Sequence, residues 1–404
     1  MFRDKNFARE FIFLKIPTYS NNHKEILEKE DELRNAMVHE MGKTYAGSQE
    51  DIDRLTEALE WYPNAMKNLR EEQIPDYEGT HTHKMISKPA GVALAYLAWN
   101  FPLLIVGYKI GAALASGCSL IIKPSTLSPL STYMVGEILE SINFPAGVVT
   151  ILAGSSREVA TPMTTSKIPA VITMIGSTQT GQRIIADSTT SIKKLGMELG
   201  GNAPFIVFED ANFDTALDLA IGLKFGNTGQ ICVAANRIFV HKNIYDKFIK
   251  AYVKRASELK IGFGIKENED VFMGPLASRD SRDRMFELIE DAVSKGAKLE
   301  YGGQIPEGLP EGGNWMQPTI VSGTTPDMKL FREETFGPVA GIMSFDTDDE
   351  VLELANDTEF GLASYIFTNN HKRIERFTED LEFGEIQING VKYAIYLPHG
   401  GFKN

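Results

Sequence analysis

A few side chains stand in settings that ordinary core or surface positions do not explain. Cys232 closes the run Phe225-Gly226-Asn227-Thr228-Gly229-Gln230-Ile231-Cys232. Glycines on either side of Asn227 and Thr228 let backbone approach a ligand closely, and such a loop can present a thiol with N–H groups nearby. The competing reading is a small buried hydrophobe, and Cys118, entering an apolar strand, keeps that reading. Glu198 stands between Met197 and Leu199 and just before Gly200-Gly201-Asn202, which is no solvated helix face. Burial there would favour its neutral form and suit it to general-base work near neutrality; a paired core glutamate is the alternative. Asn100, in the turn Trp99-Asn100-Phe101-Pro102, has an amide that can donate to a developing oxyanion or bond its own turn. Gly176-Ser177-Thr178-Gln179-Thr180-Gly181 follows an apolar strand and opens a helix, the geometry of a phosphate cradle, although it is not the Gly-x-Gly-x-x-Gly pattern. Lys123-Pro124-Ser125-Thr126 follows another strand at its C-terminal end, where nucleotides bind in open α/β sheets.

These residues need a scaffold, and the hydrophobic pattern supplies one. Residues 24–43 and 49–70 are charged, amphipathic and helical in period. The period is lost over 71–88, where Thr80, Thr82 and Ile86 suggest an exposed strand or arm. Strands are then predicted at Gly91–Leu97, Ser119–Lys123, Val148–Leu152 and Ala170–Ile175, with helices at Pro129–Ser141 and from Gln179. A second series has strands at Pro204–Phe208, Arg237–Val240, Val339–Phe345 and Ser364–Thr368. Its helices are expected around Thr215–Gly226, Ile244–Leu259, Ser281–Lys295 and His371–Glu379, and the Gly/Pro-rich stretch 302–318 reads as an exposed loop. Alternating β and α segments with wholly apolar strands argue an α/β chain of two doubly wound lobes that meet near Glu198–Gly201, and a small-molecule site belongs in a cleft between lobes.

The chain has 404 residues, 24% of them charged and 43% hydrophobic, an ordinary globular mix. A formal net charge of −13 gives no general attraction to phosphate backbones, so a nucleic-acid partner is not expected. The uncharged run Pro89–Tyr108 is long enough to span a bilayer. Asn100 and Pro102 interrupt it and Gly91 and Gly107 loosen it, so a buried strand, turn and helix are expected instead, and no membrane partner. Two cysteines exclude a disulfide framework and a cysteine-only zinc site, fit a reducing compartment and, with no signal-peptide pattern at the N-terminus, suggest a cytoplasmic protein; no metal is expected.

Taken together, the Trp99–Pro102 turn, Lys123-Pro124-Ser125, Gly176-Ser177-Thr178-x-x-Gly181, Glu198-Leu199-Gly200-Gly201-Asn202-Ala203-Pro204, Asn227–Cys232, Glu333–Pro338 and Pro398-His399-Gly400-Gly401 stand in the order and spacing of the aldehyde dehydrogenase superfamily. The resemblance runs from about residue 24 to the last. It implies an atypical Rossmann cofactor domain (1–70 and 90–199), a β-strand oligomerisation arm (71–89), a catalytic domain (200–398) and a tail (399–404). It further implies a homo-oligomer, dimer or tetramer, acting on a small-molecule aldehyde with NAD or NADP. By resemblance, Cys232 is the nucleophile, Asn100 and the Cys232 N–H hold the oxyanion, Glu198 activates the hydrolytic water, and Lys109 sits on a proton path to Glu198. Lys123 bonds the adenosine ribose, Gly176 and Ser177 the pyrophosphate, and Glu334 the nicotinamide ribose. Phe336 packs beside that ribose, and Leu97, Trp99 and Leu199 are wall contacts.

One departure matters. NAD-preferring members often carry Glu three residues after the ribose lysine. Here Thr126 stands there and, with Ser125, offers hydroxyls, which predicts that NADP is accepted. Tyr108 and Gly226 stand where succinate-semialdehyde members carry anion-binding arginines or a neighbour of one. Tyr108, Tyr393 and His399 would then line a mixed pocket for a short, polar or hydroxylated, lactaldehyde-like substrate. Members that pass the thioester to CoA or phosphate generally lack the residue corresponding to Glu198; a cofactor-independent esterase is a side reaction. Relatives usually have further N-terminal strands and a longer tail, so a shortened member with weak or no catalysis, acting as a binding or structural protein, is the second expectation.

Overall fold

The computed structural model describes residues 23–66 and 72–403; the parts of the expected first domain, arm and tail that fall on 1–22, 67–71 and 404 lie outside the described residues. The chain forms two compact units, one holding residues up to Ala36 with Gln49–Met197, the other Met37–Ser48 with Glu198–Asn404. Met37–Ser48, expected from the sequence in the first domain, therefore belongs with the second unit. Tyr45 N donates to Gly264 O at 2.6 Å, and Gly42, at φ +79°, leaves room for Pro275, which a Cβ would approach to 2.7 Å.

The first unit is built on a five-stranded sheet of β3 (Val92–Tyr96), β4 (Ser119–Lys123), β5 (Val149–Ile151), β6 (Pro169–Ile175) and β7 (Lys194–Glu198), in the order β5-β4-β3-β6-β7. β3 runs parallel to both β4 and β6. Since the chain leaves β3 for β4 on one side and returns to β6 on the other, the strand order switches there. At such a switch the loops leaving the C-terminal ends of the strands open a crevice. The short strands β1 (Glu72–Ile74) and β2 (His83–Met85) form the expected exposed arm, an antiparallel hairpin.

The expected buried strand, turn and helix at 91–115 is present, with the helix at Pro102–Ala115. Gly107 has a different part from the loosening expected of it. A Cβ there would lie 2.8 Å from Leu55 Cα, and one at Gly111 would lie 2.9 Å from Ala58 O. The two glycines let this helix pack backbone to backbone on the helix Tyr45–Met66. That second helix also supplies Asp51, fully buried, whose Oδ1 accepts from Leu103 N and Leu104 N, both at 3.1 Å. A carboxylate on the first turn satisfies donors that have no partner within the helix and faces the positive end of its dipole. Among the described residues no helix is long and apolar enough to cross a membrane.

The second unit carries a seven-stranded sheet: β8 (Ala203–Val207), β9 (Ala235–His241), β10 (Lys298–Tyr301), β11 (Thr319–Ser322), β12 (Val339–Phe345), β13 (Ala363–Phe367) and β14 (Glu385–Ile388). Their order is β10-β11-β12-β9-β8-β13-β14, all parallel except β10. β8, β9 and β13 are buried along their whole length, as apolar runs covered on both faces must be. The sequence pattern missed β7, β10, β11, β14 and the helix Asp348–Asn356; the four strands are short and mixed in polarity, and the helix is only nine residues.

Replacing Asp51 with Ala leaves two buried N–H groups without their carboxylate. The variant is expected to lose about 1–3 kcal/mol of stability, read as a lowered thermal unfolding midpoint.

Candidate active site

In the first unit, every cofactor-side residue singled out in the sequence stands at the C-terminal edge of the parallel strands. Leu97, Trp99 and Asn100 follow β3; Lys123 ends β4 and leads into Ser125 and Thr126; Gly176 and Ser177 follow β6. Ser177 caps the helix Thr178–Asp187, its Oγ accepting from Thr180 N at 3.3 Å. Lys123 is buried, and burial lowers its pKa; Nζ donates to Pro124 O at 3.3 Å. Ser125 Oγ accepts from Leu127 N, whereas Thr126 is exposed. These parts fit a dinucleotide: a cation at the end of β4 and a helix N-terminus after β6, on one edge of one sheet. Asn100 is buried in its turn, and Lys109 donates to Thr173 Oγ1 on β6 at 2.7 Å. Tyr108 lies near Arg54, and burial pushes its phenol up to about 12 while Arg54 pulls the other way.

In the second unit, the chemistry collects at the opposite, entering edge of the strands. Glu198 precedes β8, Cys232 precedes β9, Glu334 precedes β12 and Glu385 opens β14. Gly200 and Gly201 allow the approach. A Cβ at Gly200 would lie 2.8 Å from Glu334 Oε2, and one at Gly201 only 2.0 Å from the Cys232 carbonyl oxygen. A side chain at Gly201 would have to move backbone, and one at Gly200 would displace the Glu334 carboxylate.

The loop before the thiol is held in an unusual conformation. Asn227, Thr228 and Gly229 all have positive φ, at 46°, 57° and 71°. That is costly for a β-branched residue, and buried Thr228 is fixed there by a 3.1 Å bond from Oγ1 to Gly274 O. A Cβ at Gly229 would fall 2.2 Å from Gly337 O. Gln230 locks the exit, accepting from Ala277 N at 3.0 Å and donating to Asn227 O at 3.2 Å. The polar residues of this stretch therefore shape the loop that ends in Cys232.

A closed ring of hydrogen bonds lies behind it. Lys224 is fully buried; its Nζ donates to Asn236 Oδ1 at 2.7 Å and Thr335 O at 3.1 Å. Asn236 Nδ2 donates to Gly201 O at 3.3 Å, and Gly201 N donates to Glu334 Oε1 at 2.9 Å. Burial pushes Lys224 down to about 7 and Glu334 up to about 7; their mutual attraction, with the Gly201 N–H on the carboxylate, opposes both shifts. The sequence analysis missed Lys224, Asn236, Tyr365 and Glu385. Lys224 carries a signal, a cation within the apolar face of the helix Phe213–Phe225. Tyr365 OH donates to Val233 O at 2.7 Å and shares a 2.5 Å bond with Tyr393 OH, while Tyr393 meets His399 edge-on.

Cys232 is half-buried. Burial and then the charges of Glu334, Glu198 and Glu385 push its thiol up to about 12, so at rest it is protonated. Alkylation of Cys232 by iodoacetamide, in protein without added cofactor, should accelerate with pH well beyond pH 9. Above about pH 7 the Glu334 carboxylate is charged and holds the thiol up. Glu334→Gln removes that charge, lowers the thiol and is expected to speed labelling several-fold at pH 9, followed by peptide mass spectrometry; Cys118 is buried and provides the slow internal reference.

A family model described as the Aldehyde dehydrogenase family matches residues 19–404. The glutarate-semialdehyde dehydrogenase of Pseudomonas putida is 38% identical over 379 residues, 94% of this chain and 78% of that protein. The 3-sulfolactaldehyde dehydrogenase of Pseudomonas putida is 37% identical, over 94% of this chain and 77% of that one. Among solved structures, an NADP-dependent enzyme of Escherichia coli superposes with a TM-score of 0.93 at 35% identity, covering 98% of this chain and 83% of its own. Matches over nearly the whole chain, by a family model and by relatives of more than 35% identity, show that the chain belongs to the aldehyde dehydrogenase family, whose members are NAD(P)-dependent aldehyde-oxidising enzymes.

Proposed function

We propose that this chain oxidises a short, polar or hydroxylated aldehyde, lactaldehyde-like, to its carboxylic acid, with NADP accepted alongside NAD. The observation that supports the chemistry is the meeting of Cys232, Glu198 and Glu334 around Gly200 and Gly201, which nothing in a merely structural fold requires.

The Cys232 sulfur adds to the carbonyl carbon as its proton passes to solvent water, and the carbonyl π electrons move to oxygen. The Asn100 amide and the Cys232 N–H are the donors assigned to that oxyanion. Bound NAD(P)+ supplies the hydride acceptor. With the hydride gone, Cys232 holds the acyl group as a thioester. Glu198 takes a proton from water, the new oxygen bonds to the acyl carbon, the C–S bond breaks and the thiolate returns. Lys123, Ser125, Thr126, Gly176 and Ser177 hold the adenosine and phosphate end, with Leu97, Trp99 and Leu199 as walls. Glu334 and Phe336 hold the nicotinamide end, and Lys109 lies on a proton path.

On this reading Cys232→Ser abolishes NAD(P)H formation in an absorbance assay. Glu198→Gln retains a first-turnover burst and loses at least about a hundredfold in steady state. Wild-type turnover in either variant would exclude the assignment.

The cofactor reading rests on Thr126, exposed and hydroxyl-bearing beside Lys123. A carboxylate there would repel a 2′-phosphate. Thr126→Glu is expected to lower kcat/KM for NADP by about tenfold or more while leaving NAD within a few-fold. For the substrate, both curated relatives described above are named for aldehydes with an acid at the far end, while Tyr108 and Gly226 give this chain no arginine at the corresponding places. A panel of lactaldehyde, glycolaldehyde, succinate semialdehyde, glutarate semialdehyde and octanal should show the highest kcat/KM for the hydroxylated aldehydes; highest activity on the semialdehydes or on octanal overturns the substrate class. A homo-oligomer built through the exposed β1–β2 arm completes the proposal.

A further inference from the structure

The carboxylate that activates water gains one proton per turnover and must lose it before the next. In the second unit a group stands ready to take it. His399 Nε2 lies 3.7 Å from Glu198 Oε2, and His399 Nδ1 is hydrogen-bonded to Glu385 Oε1. The backbone holds this line together. A Cβ at Gly400 would lie 3.4 Å from Glu198 Oε1, and one at Gly384, just before Glu385, only 1.8 Å from Gly400 O. The segment that carries His399 is thus pressed against both carboxylates. The other neighbour is Tyr393, edge-on to the imidazole with centroids 6.2 Å apart. On the same segment Lys403 is engaged elsewhere, by Glu382 and the carbonyls of Asn356 and Thr358. The His399 side chain is 38% exposed, against 24% for Glu198 and 11% for Glu385, so the imidazole is the wettest of the three.

An imidazole can accept a proton at one nitrogen while releasing one from the other, and it does so near neutral pH. The 3.7 Å gap to Glu198 exceeds a direct hydrogen bond and is short enough for a small side-chain rotation or one bridging water to complete a proton path.

We propose that His399, backed by Glu385, is a proton outlet within the second unit, additional to the Lys109 path: it receives the proton that Glu198 takes from the hydrolytic water and passes it to Glu385 and solvent. This rests on the assignment of Cys232 and Glu198 made above. The balance is simple. Water gives its proton to Glu198 as its oxygen bonds to the acyl carbon and the C–S bond breaks; the proton moves from Glu198 to His399 Nε2; the Nδ1 proton moves to Glu385 or to water. No electrons are exchanged. His399 acts through Glu198 and so is a positioning and relay residue rather than a wall of the substrate pocket.

The test uses p-nitrophenyl acetate, which acylates a reactive thiol without any cofactor, on the full chain. Release of p-nitrophenolate reads acylation, and the lifetime of acetyl-Cys232 by intact mass spectrometry reads hydrolysis. His399→Gln should lengthen that lifetime about tenfold with the acylation rate unchanged. It should also move the acidic limb of hydrolysis to higher pH, because Glu198 loses the neighbour that draws its proton away. Glu385→Gln should produce a smaller slowing of the same kind, and added imidazole should restore hydrolysis in His399→Ala. A pocket-wall role would change acylation instead and would not respond to imidazole. If Glu198→Gln stalls hydrolysis while His399→Gln and Glu385→Gln both hydrolyse at the wild-type rate with an unmoved pH limb, the relay is overturned and the catalytic assignment stands. If Glu198→Gln itself hydrolyses at the wild-type rate, the catalytic assignment falls.

Discussion

The second unit depends on one close approach, the passage of Gly200 and Gly201 against the Glu334 carboxylate and the Cys232 carbonyl. With no Cβ at either place, two backbone segments far apart in sequence come within van der Waals contact, and the side chains before and after them face one another. The ring from Lys224 through Asn236, Gly201 and Glu334 to Thr335 fixes that approach from behind. A buried ammonium and a buried carboxylate are each costly alone. Here each is held by hydrogen bonds that also bind the glycine backbone, so the charges that resist burial are the ones that keep the segments in register.

The two units use opposite edges of their sheets. In the first, the crevice opens where the strands leave the sheet, because helix N-termini with free N–H groups follow there and suit phosphates. In the second, the chemistry stands where the strands enter. Three loops that lead into β8, β9 and β12, with the first residue of β14, bring Glu198, Cys232, Glu334 and Glu385 to one edge, since parallel strands place all their entries on one side.

The field of this entering edge is negative. Burial, reinforced by three carboxylates, holds the Cys232 thiol in its neutral form, which protects it from chance alkylation and oxidation. The same field favours a cation in front of the thiol, and that is a physical reason for a nucleophile whose reactivity waits on what binds beside it. His399 is the one imidazole placed between two of the described carboxylates of this edge, and it is positioned to move protons within that field.

The α/β class and the central strands were legible in the amino-acid sequence alone, and so were the candidate reactive residues. Long apolar strands such as Ser119–Lys123 and Ala203–Val207 announce themselves by composition, and Cys232, Glu198 and Gly200-Gly201 by settings that local structure does not call for. The sequence could not reveal the edge strands β7, β10 and β14, whose mixed residues reflect partial exposure, nor the short buried strand β11, whose four residues include Thr319 and Ser322, nor that Met37–Ser48 packs with the second unit. It gave no hint of Glu385, an ordinary glutamate at the head of a short strand, or of the task of Lys224. Those were decided only by tertiary structure, because a buried charge or a proton path is defined by which distant segments the sheet order brings within a few ångströms, and that order is a property of the whole packed chain.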